Sequence, residues 1–504
     1  MQKFNFEQDY SREEKTFVIF GAIILIILCL SVFYPIISIV FLAGSLALTL
    51  FYRSFIPILI FLPAYLPFQI ALNPSADVDL ASGRVIILAL ALIFFSTVFF
   101  RKKPWFRLSH LSLAIVFFLV WSSFSFFSAD DSGRFIRKML VFLSIFPIFF
   151  IAGVTLKKFS QWQKLFKYWI YSSFLVSAIG FGQFFLQFFI GQEFFFKLWS
   201  KVIAPILYGV NAGEAVASNP SWFVSIGGID FLRAIGTFPD PHMLAFYLGM
   251  SLPLQLVFIL KKNKKTLWLP FFISFLTLIL TFSRGSYVGL AGIFLWLIFF
   301  FWRAGKNPET AQAIKQISDR IKISRIIIFL IIFGVLTLSI TPFRDRFFSI
   351  FDFDEGSNQG RLELWHEATD TVFYNPILGV GLGNFSNFIR PESKYREPIY
   401  AHNTYLDLAT EIGLPGVTAW LIIIIISVRP AFSGQTGEIG RLLFSKQKTN
   451  NKQTLLLWNL AVSLSILWFA LHCLFETPIF SPQILPLFIF LLAFREKANA
   501  RLKS

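Results

Sequence analysis

Between Gly360 and Gly413 an otherwise apolar chain gathers residues able to bind anions and move protons. Gly360-Arg361-Leu362-Glu363-Leu364-Trp365 is followed by Asn375-Pro376, by Gly379-Val380-Gly381-Leu382-Gly383-Asn384-Phe385, by His402-Asn403-Thr404-Tyr405-Leu406 and by Glu411-Ile412-Gly413. A guanidinium matches phosphate oxygens in geometry and charge. Imidazole is the side chain whose unperturbed pKa suits proton removal near neutrality. His402 is thus a candidate base, though a lone histidine at the mouth of a span also serves as a helix cap or an interfacial hydrogen-bonding group. Arg284, in Thr281-Phe282-Ser283-Arg284-Gly285-Ser286, joins two apolar runs. An arginine at that depth is costly and must face the bundle interior or a polar ligand, so it points to phosphate oxygens or to a carboxylate on another helix. Arg233 in Leu232-Arg233-Ala234-Ile235-Gly236 and His242 after Asp240-Pro241 precede another span on the same side.

Two further patterns have competing readings. Gly379-x-Gly381-x-Gly383 could suggest a nucleotide fold, but no strand precedes it, and a turn packed closely against helices fits better. Glu363, His366, Glu367 and Asp370 share one side of a helix at i, i+3, i+4, i+7. Glu-x-x-His can ligate a metal, but a solvated face opposite Leu362 and Trp365 explains the same spacing, and no metal is expected.

The elements that must position these residues are membrane spans. Of 504 residues 56% are hydrophobic and 14% charged, where a soluble protein carries about a quarter charged. Apolar runs of bilayer length recur. The reading is an all-α polytopic membrane protein with about 12–14 transmembrane helices and two long extracytoplasmic loops. N-terminal spans occupy 1–190, starting with runs at 17–34 and 36–52. The first long loop is 191–241, central spans lie in 242–341 (the last at 325–341), the second long loop is 342–413, and 414–504 holds the C-terminal spans and a basic tail. Within the second loop, Arg361 to Phe373 reads as an amphipathic helix with Leu362, Trp365, Thr369 and Val372 on one face, stopped by Asn375-Pro376. A short helix from His402 ends at Gly413.

The first apolar run lacks the features of a cleaved signal peptide. Cys29 and Cys473 lie in separate apolar runs and read as small buried hydrophobes. The net charge of +17 resides mostly in short loops that alternate placement puts in the cytoplasm, as the positive-inside rule requires. It is a topology signal, so no nucleic acid partner is expected.

Together these motifs resemble the O-antigen ligase and polymerase superfamily of bacterial envelope glycan transferases. The pattern runs from Arg233 to Gly416. It is carried by Gly360-Arg361 with Trp365 and Ala368, by Asn375-Pro376 with the triple glycine and Phe385, and by His402-Asn403-x-Tyr405-Leu406 with Glu411-x-Gly413. Ser283-Arg284-Gly285 and Gly236-x-Phe238-x-x-Pro241 match the upstream signals. The resemblance implies a metal-independent, cofactor-free transferase in the bacterial inner membrane, with its active face outside the cytoplasm. Its partners would be membrane lipids, a polyprenyl diphosphate-linked glycan donor, and an acceptor such as lipid A core or another glycan. It implies that Arg284 and Arg361, with Arg233 beside them, bind the donor diphosphate and that His402 serves the acceptor hydroxyl. Asn403, Tyr405, Glu411, Trp365 and His242 support them. Position 242 departs from the family's usual Pro-Asn. The ligase type is the first expectation, a polysaccharide polymerase the alternative, and a protein O-oligosaccharyltransferase a third acceptor class. The rival from another class is a lipid-linked glycan transporter, which should keep polar groups near the bilayer midplane. The candidates here gather near span ends.

Overall fold

The computed structural model describes residues 55–75, 78–101, 108–211, 220–226, 229–262, 264–305, 356–392, 399–429 and 451–503. The expected spans at 17–34, 36–52 and 325–341, and Cys29, lie outside them. Among the described residues the fold is helical, with two short antiparallel hairpins, Ala71–Ser75 with Val78–Ala81 and Phe223–Ile226 with Ile229–Leu232. Among the described residues, seven helices are long and apolar enough to cross a membrane: Ser82–Phe100, His110–Ser128, Ser132–Thr155, Phe159–Ile190, Pro241–Lys262, Thr404–Val428 and Gln453–His472. Shorter apolar helices occupy Ile56–Phe68 and Lys265–Leu280. Arg284–Gly305 and Ile484–Lys503 are two further long helices.

Local chemistry sets the boundaries. Asp131 accepts from the Arg134 amide and caps the helix that starts at Ser132, while Pro147 restarts it after Phe146. The helix expected from about residue 168 begins instead at Phe159, where Gln161 reaches back to the Lys158 amide, and Trp162 is already buried.

The helix Ile484–Lys503 forms the centre of the bundle, with Ile484, Leu485 and every residue from Leu487 to Phe494 at most 1% exposed. Beside it, Asn451–His472 packs on glycines. A Cβ at Gly249 would strike Trp468, one at Gly289 would press on the same ring, and one at Gly285 would strike His472. Lipid gives no hydrophobic drive between helices, so close approach over small residues must hold them. Here it brings His472 up to the Ser283-Arg284 turn.

The loop-bearing end is built by backbone recognition. Gln183 of the helix Phe159–Ile190 clamps Gly236, donating to its carbonyl and accepting from its amide at 2.8 Å each. One turn further on, Gln187 does the same for Leu232 at 3.0 and 2.8 Å. The second-loop helix, Gly356–Tyr374, forms as expected and stops before Asn375-Pro376. Its buried face differs from expectation. Leu362 and Thr369 are exposed, whereas Ala368 and Thr371 are buried and Leu364, Trp365 and Val372 are half-buried. The side chains small enough for close approach set the contact.

The triple glycine is a packed turn. Gly379, Gly381 and Gly383 all have positive φ, and a Cβ on them would meet Thr410 O, Ala129 and Lys138 respectively. Val380 N donates to Thr410 O at 2.8 Å and Leu414 N to Pro376 O at 2.8 Å. The turn therefore grips the helix Thr404–Val428 where it breaks, at Gly413 with φ 72° and ψ 177°. A Cβ at Gly413 would lie 2.0 Å from Ile377 O. Gly413→Ala should therefore cost about 1–3 kcal/mol, read as a lower melting temperature in detergent. Gly182→Ala, in open space within a helix, should leave melting unchanged or slightly raised.

Candidate active site

One buried carboxylate organises the loop-bearing end. Glu476 lies in the short connection between the last two long helices, before Pro478. Its Oε1 accepts from Arg361 Nη2 at 2.8 Å and stands 3.5 Å from His242 Nε2, while its Oε2 is 3.0 Å from His402 Nδ1. Its side chain is 9% exposed, against 17% for Arg361, 14% for His242 and 43% for His402. The imidazole of His402 is therefore the member open to an incoming molecule. Three candidates from distant parts of the sequence, Arg361, His402 and His242, share this one group.

Burial by itself pushes the Glu476 carboxyl up, but His242, His402 and Arg361 together outweigh it and hold it well below the usual carboxylate range. In turn the Glu476 charge raises His402 above its ordinary 6.5, against the opposing effect of burial. An ionised carboxylate only accepts, so Nδ1 of His402 carries the donated hydrogen and Nε2 is the basic atom when the ring is neutral. Burial raises nearby Asp240 to about 6, opposed by the Met243 amide that it caps.

A tight lattice of bonds places His402. Its backbone has φ 49°, a left-handed value uncommon outside glycine. On one side, Trp365 Nε1 donates to Ala401 O at 2.7 Å and Ala401 N to Asp407 Oδ1 at 2.8 Å. On the other, Asn403 caps the helix by accepting from the Tyr405 and Leu406 amides. Thr404 fastens this segment to the one carrying Glu476, donating its amide to Cys473 O at 2.9 Å and its hydroxyl to Glu476 O at 2.7 Å. Thr477 closes the frame by donating to Asp407 Oδ2, and Tyr405 OH donates to Ala470 O at 2.7 Å. Asp407 thus positions the residues beside both His402 and Glu476.

Ser283 bridges two histidines, with Oγ 2.9 Å from His242 Nδ1 and 3.1 Å from His472 Nε2. It follows Phe282, whose φ of 48° is again left-handed. Arg284, 5% exposed, opens the next helix one residue later. Arg233 directs Nε to Thr281 O at 2.7 Å and Nη1 to Ser221 O at 2.8 Å, tying the first loop to this turn. Glu411 accepts from the Gly383 amide near Lys138 and so anchors the glycine turn. The Glu-His face is solvated: His366 Nδ1 pairs with Asp370 Oδ2 at 3.0 Å, with side chains 79% and 61% exposed. Among the described residues no cluster of three or more His, Cys, Asp or Glu is placed to hold a metal ion.

Sequence reasoning missed Glu476, Asp407, Ser283 and His472. A signal for Glu476 was present, since it is the lone carboxylate between Asn451 and Arg495 in an apolar stretch, and an intramembrane acid invites a search for its partner.

A family model described as O-antigen ligase matches residues 269–421. That region carries Arg284, Arg361, His402 and Glu411 and stops short of Glu476. The match supports the O-antigen ligase and polymerase superfamily that the motifs resemble, and it rests on less than a third of the chain. No curated protein matches the chain as a relative.

A raised folded pKa means that His402 adds stability fully below its ordinary 6.5, and that this is lost as pH rises through the folded value. A depressed one means that Glu476 adds stability above its ordinary 4.5, lost as pH falls through the folded value. Melting temperature should hold across the mildly acidic range and fall above neutrality. Glu476→Gln should abolish the alkaline fall and move His402 down in an NMR titration, which only five histidines make tractable. A His402 titration unmoved by Glu476→Gln would refute the pairing.

Proposed function

We propose that the chain is a glycan transferase of the O-antigen ligase type, moving a glycan from a polyprenyl diphosphate carrier to an acceptor hydroxyl at the outer face of the bacterial inner membrane. The observation that carries this reading is the meeting of Arg361 and His402 on Glu476. A phosphate-binding cation and an open imidazole lie within reach of one site at the loop-bearing end of a membrane bundle.

In this mechanism Glu476 holds His402 through Nδ1 and presents Nε2 to the acceptor. The ring takes the acceptor's proton as the acceptor oxygen attacks the anomeric carbon, with inversion. The bond from that carbon to the diphosphate oxygen breaks, and the diphosphate leaves with the electron pair. Arg361, with Arg284 at the neighbouring turn, balances the charge that develops there. The imidazolium formed is stabilised by the carboxylate that oriented it. Arg361 already lies against Glu476, so the donor's phosphates must share or take over that guanidinium. Arg233 contributes positive charge from a position fixed by two backbone carbonyls.

Purified protein in vesicles, given a polyprenyl diphosphate glycan and an acceptor, tests the reading. His402→Ala should lower turnover on the order of 10²–10⁴-fold, and Arg284→Ala or Arg361→Ala about 10²–10³-fold. Transfer should persist in EDTA. Full transfer by the His402 and arginine variants would overturn the assignment, and metal-dependent transfer would revive the exposed Glu-His face. Lipid A core, repeat units and peptide offered in parallel separate ligase from polymerase and protein glycosylation.

A further inference from the structure

We propose that the C-terminal end of the second-loop helix is a membrane anchor, with Phe373, Tyr374 and Ile377 inserted at the boundary between lipid headgroups and acyl chains. These three are 79%, 78% and 63% exposed, a large apolar surface left uncovered at the end of an otherwise polar helix. Upstream on that helix the exposed side chains are Gln359, Glu363, His366, Thr369 and Asp370, with Leu362 the one large apolar residue among them. The exposed surface of the helix therefore changes along its length, from mostly polar to apolar at its C-terminal end.

Its surroundings identify what covers the apolar end. Leu414 N donates to Pro376 O, and Ile377 O presses on Gly413, so this end sits on the kink of the helix Thr404–Val428. At the same level Trp121 Nε1 donates to Ile412 O at 3.0 Å, which brings the last turns of His110–Phe124 alongside. Both are spans with exposed apolar stripes. Leu113, Phe117, Val120 and Phe124 follow helical spacing on one, and Leu414, Leu421, Ile422 and Ile425 on the other. In a multi-pass membrane protein those stripes face lipid, and Ile377, Tyr374 and Phe373 extend them at the end where the chain leaves the spans. Aromatic side chains, tyrosine above all, are favoured at that depth because an apolar ring and a polar tip are both satisfied there.

The geometry gives the anchor a use. Arg361 stands twelve residues before Phe373, about 18 Å along a helix. With one end held in the interface and Trp365 tied to Ala401, the height of Arg361 above the bilayer is set by the membrane itself. That height decides how far a lipid-linked diphosphate must rise from the interface to meet the guanidinium. This use rests on the proposed function, while the anchor does not.

The test reads depth rather than turnover. Phe373→Cys and Glu363→Cys are each labelled with an environment-sensitive NBD fluorophore, in the full chain reconstituted into phosphatidylcholine vesicles, with the unsubstituted protein reporting background labelling. Nitroxide lipids spin-labelled at acyl carbon 5 or 12 are the quenchers. The label at 373 should be quenched several-fold more than that at 363, and more by the shallow nitroxide than by the deep one. Equal quenching at the two positions would overturn the anchor and leave the patch to a protein partner. Failure of transfer by the unsubstituted protein would sink the functional reading without touching this result.

Discussion

The loop-bearing end depends on keeping one carboxylate ionised where water scarcely reaches it. An uncompensated charge in such a place costs several kcal/mol, so Glu476 exists in that state only while Arg361, His402 and His242 surround it. These come from a loop helix, a helix entrance and the head of a central span, and the carboxylate itself from the last connection. None reaches the others through local structure. The glycine turn, the Thr404 cross-links and the Asp407 frame are the supports that hold four segments at one point. Removing a basic partner leaves the acid less compensated, and removing the acid takes away both the partner of Arg361 and the charge that keeps His402 basic. Assembly and chemistry thus rest on the same group.

Much of this was legible beforehand where the signal was local. Apolar runs announced the spans, Asn375-Pro376 announced the end of the loop helix, and three alternate glycines announced a turn pressed against helices. Arg361 and His402 stood out because they are cationic or ionisable groups on the side to which the charge pattern assigns few of the chain's basic residues. What was hidden was pairing. Glu476 lies 115 residues from Arg361 and outside the motif region, and no periodicity links them. The loop helix shows the same limit on a smaller scale. Leu362 and Thr369 share a stripe with Trp365, yet the contact was decided by Ala368 and Thr371, whose small size lets the backbone approach. Ser283 was visible only as a neighbour of Arg284 and His472 only as the end of a span; the missing side chain of Gly285 is what lets them meet.

Among the described residues two non-glycine positions have left-handed backbones, Phe282 and His402, and both border the site. Such conformations cost about 1–3 kcal/mol each and persist only where surrounding structure over-determines them. Around His402 that structure is explicit, with bonds to the residue before and the residues after. Around Phe282 it consists of the Arg233 and Ala234 bonds to Thr281 O and Leu280 O. Strain at these two points turns Ser283 toward its histidines and His402 toward Glu476.

The two glutamines that clamp Leu232 and Gly236 have an effect beyond fastening a loop. Each reads a backbone amide and carbonyl as a neighbouring strand would, though it belongs to a helix. The address is written in main-chain groups, while separate constraints fix the side chains there, since Leu232 is buried and Gly236 has a φ of 58°. Its spacing is another matter. Three residues separate the two clamped positions and three separate the two glutamines, so an insertion or deletion between 232 and 236 would leave one clamp without a match. The segment leading to His242 is therefore held in length by its main chain, independently of the buried side chains that hold it in place.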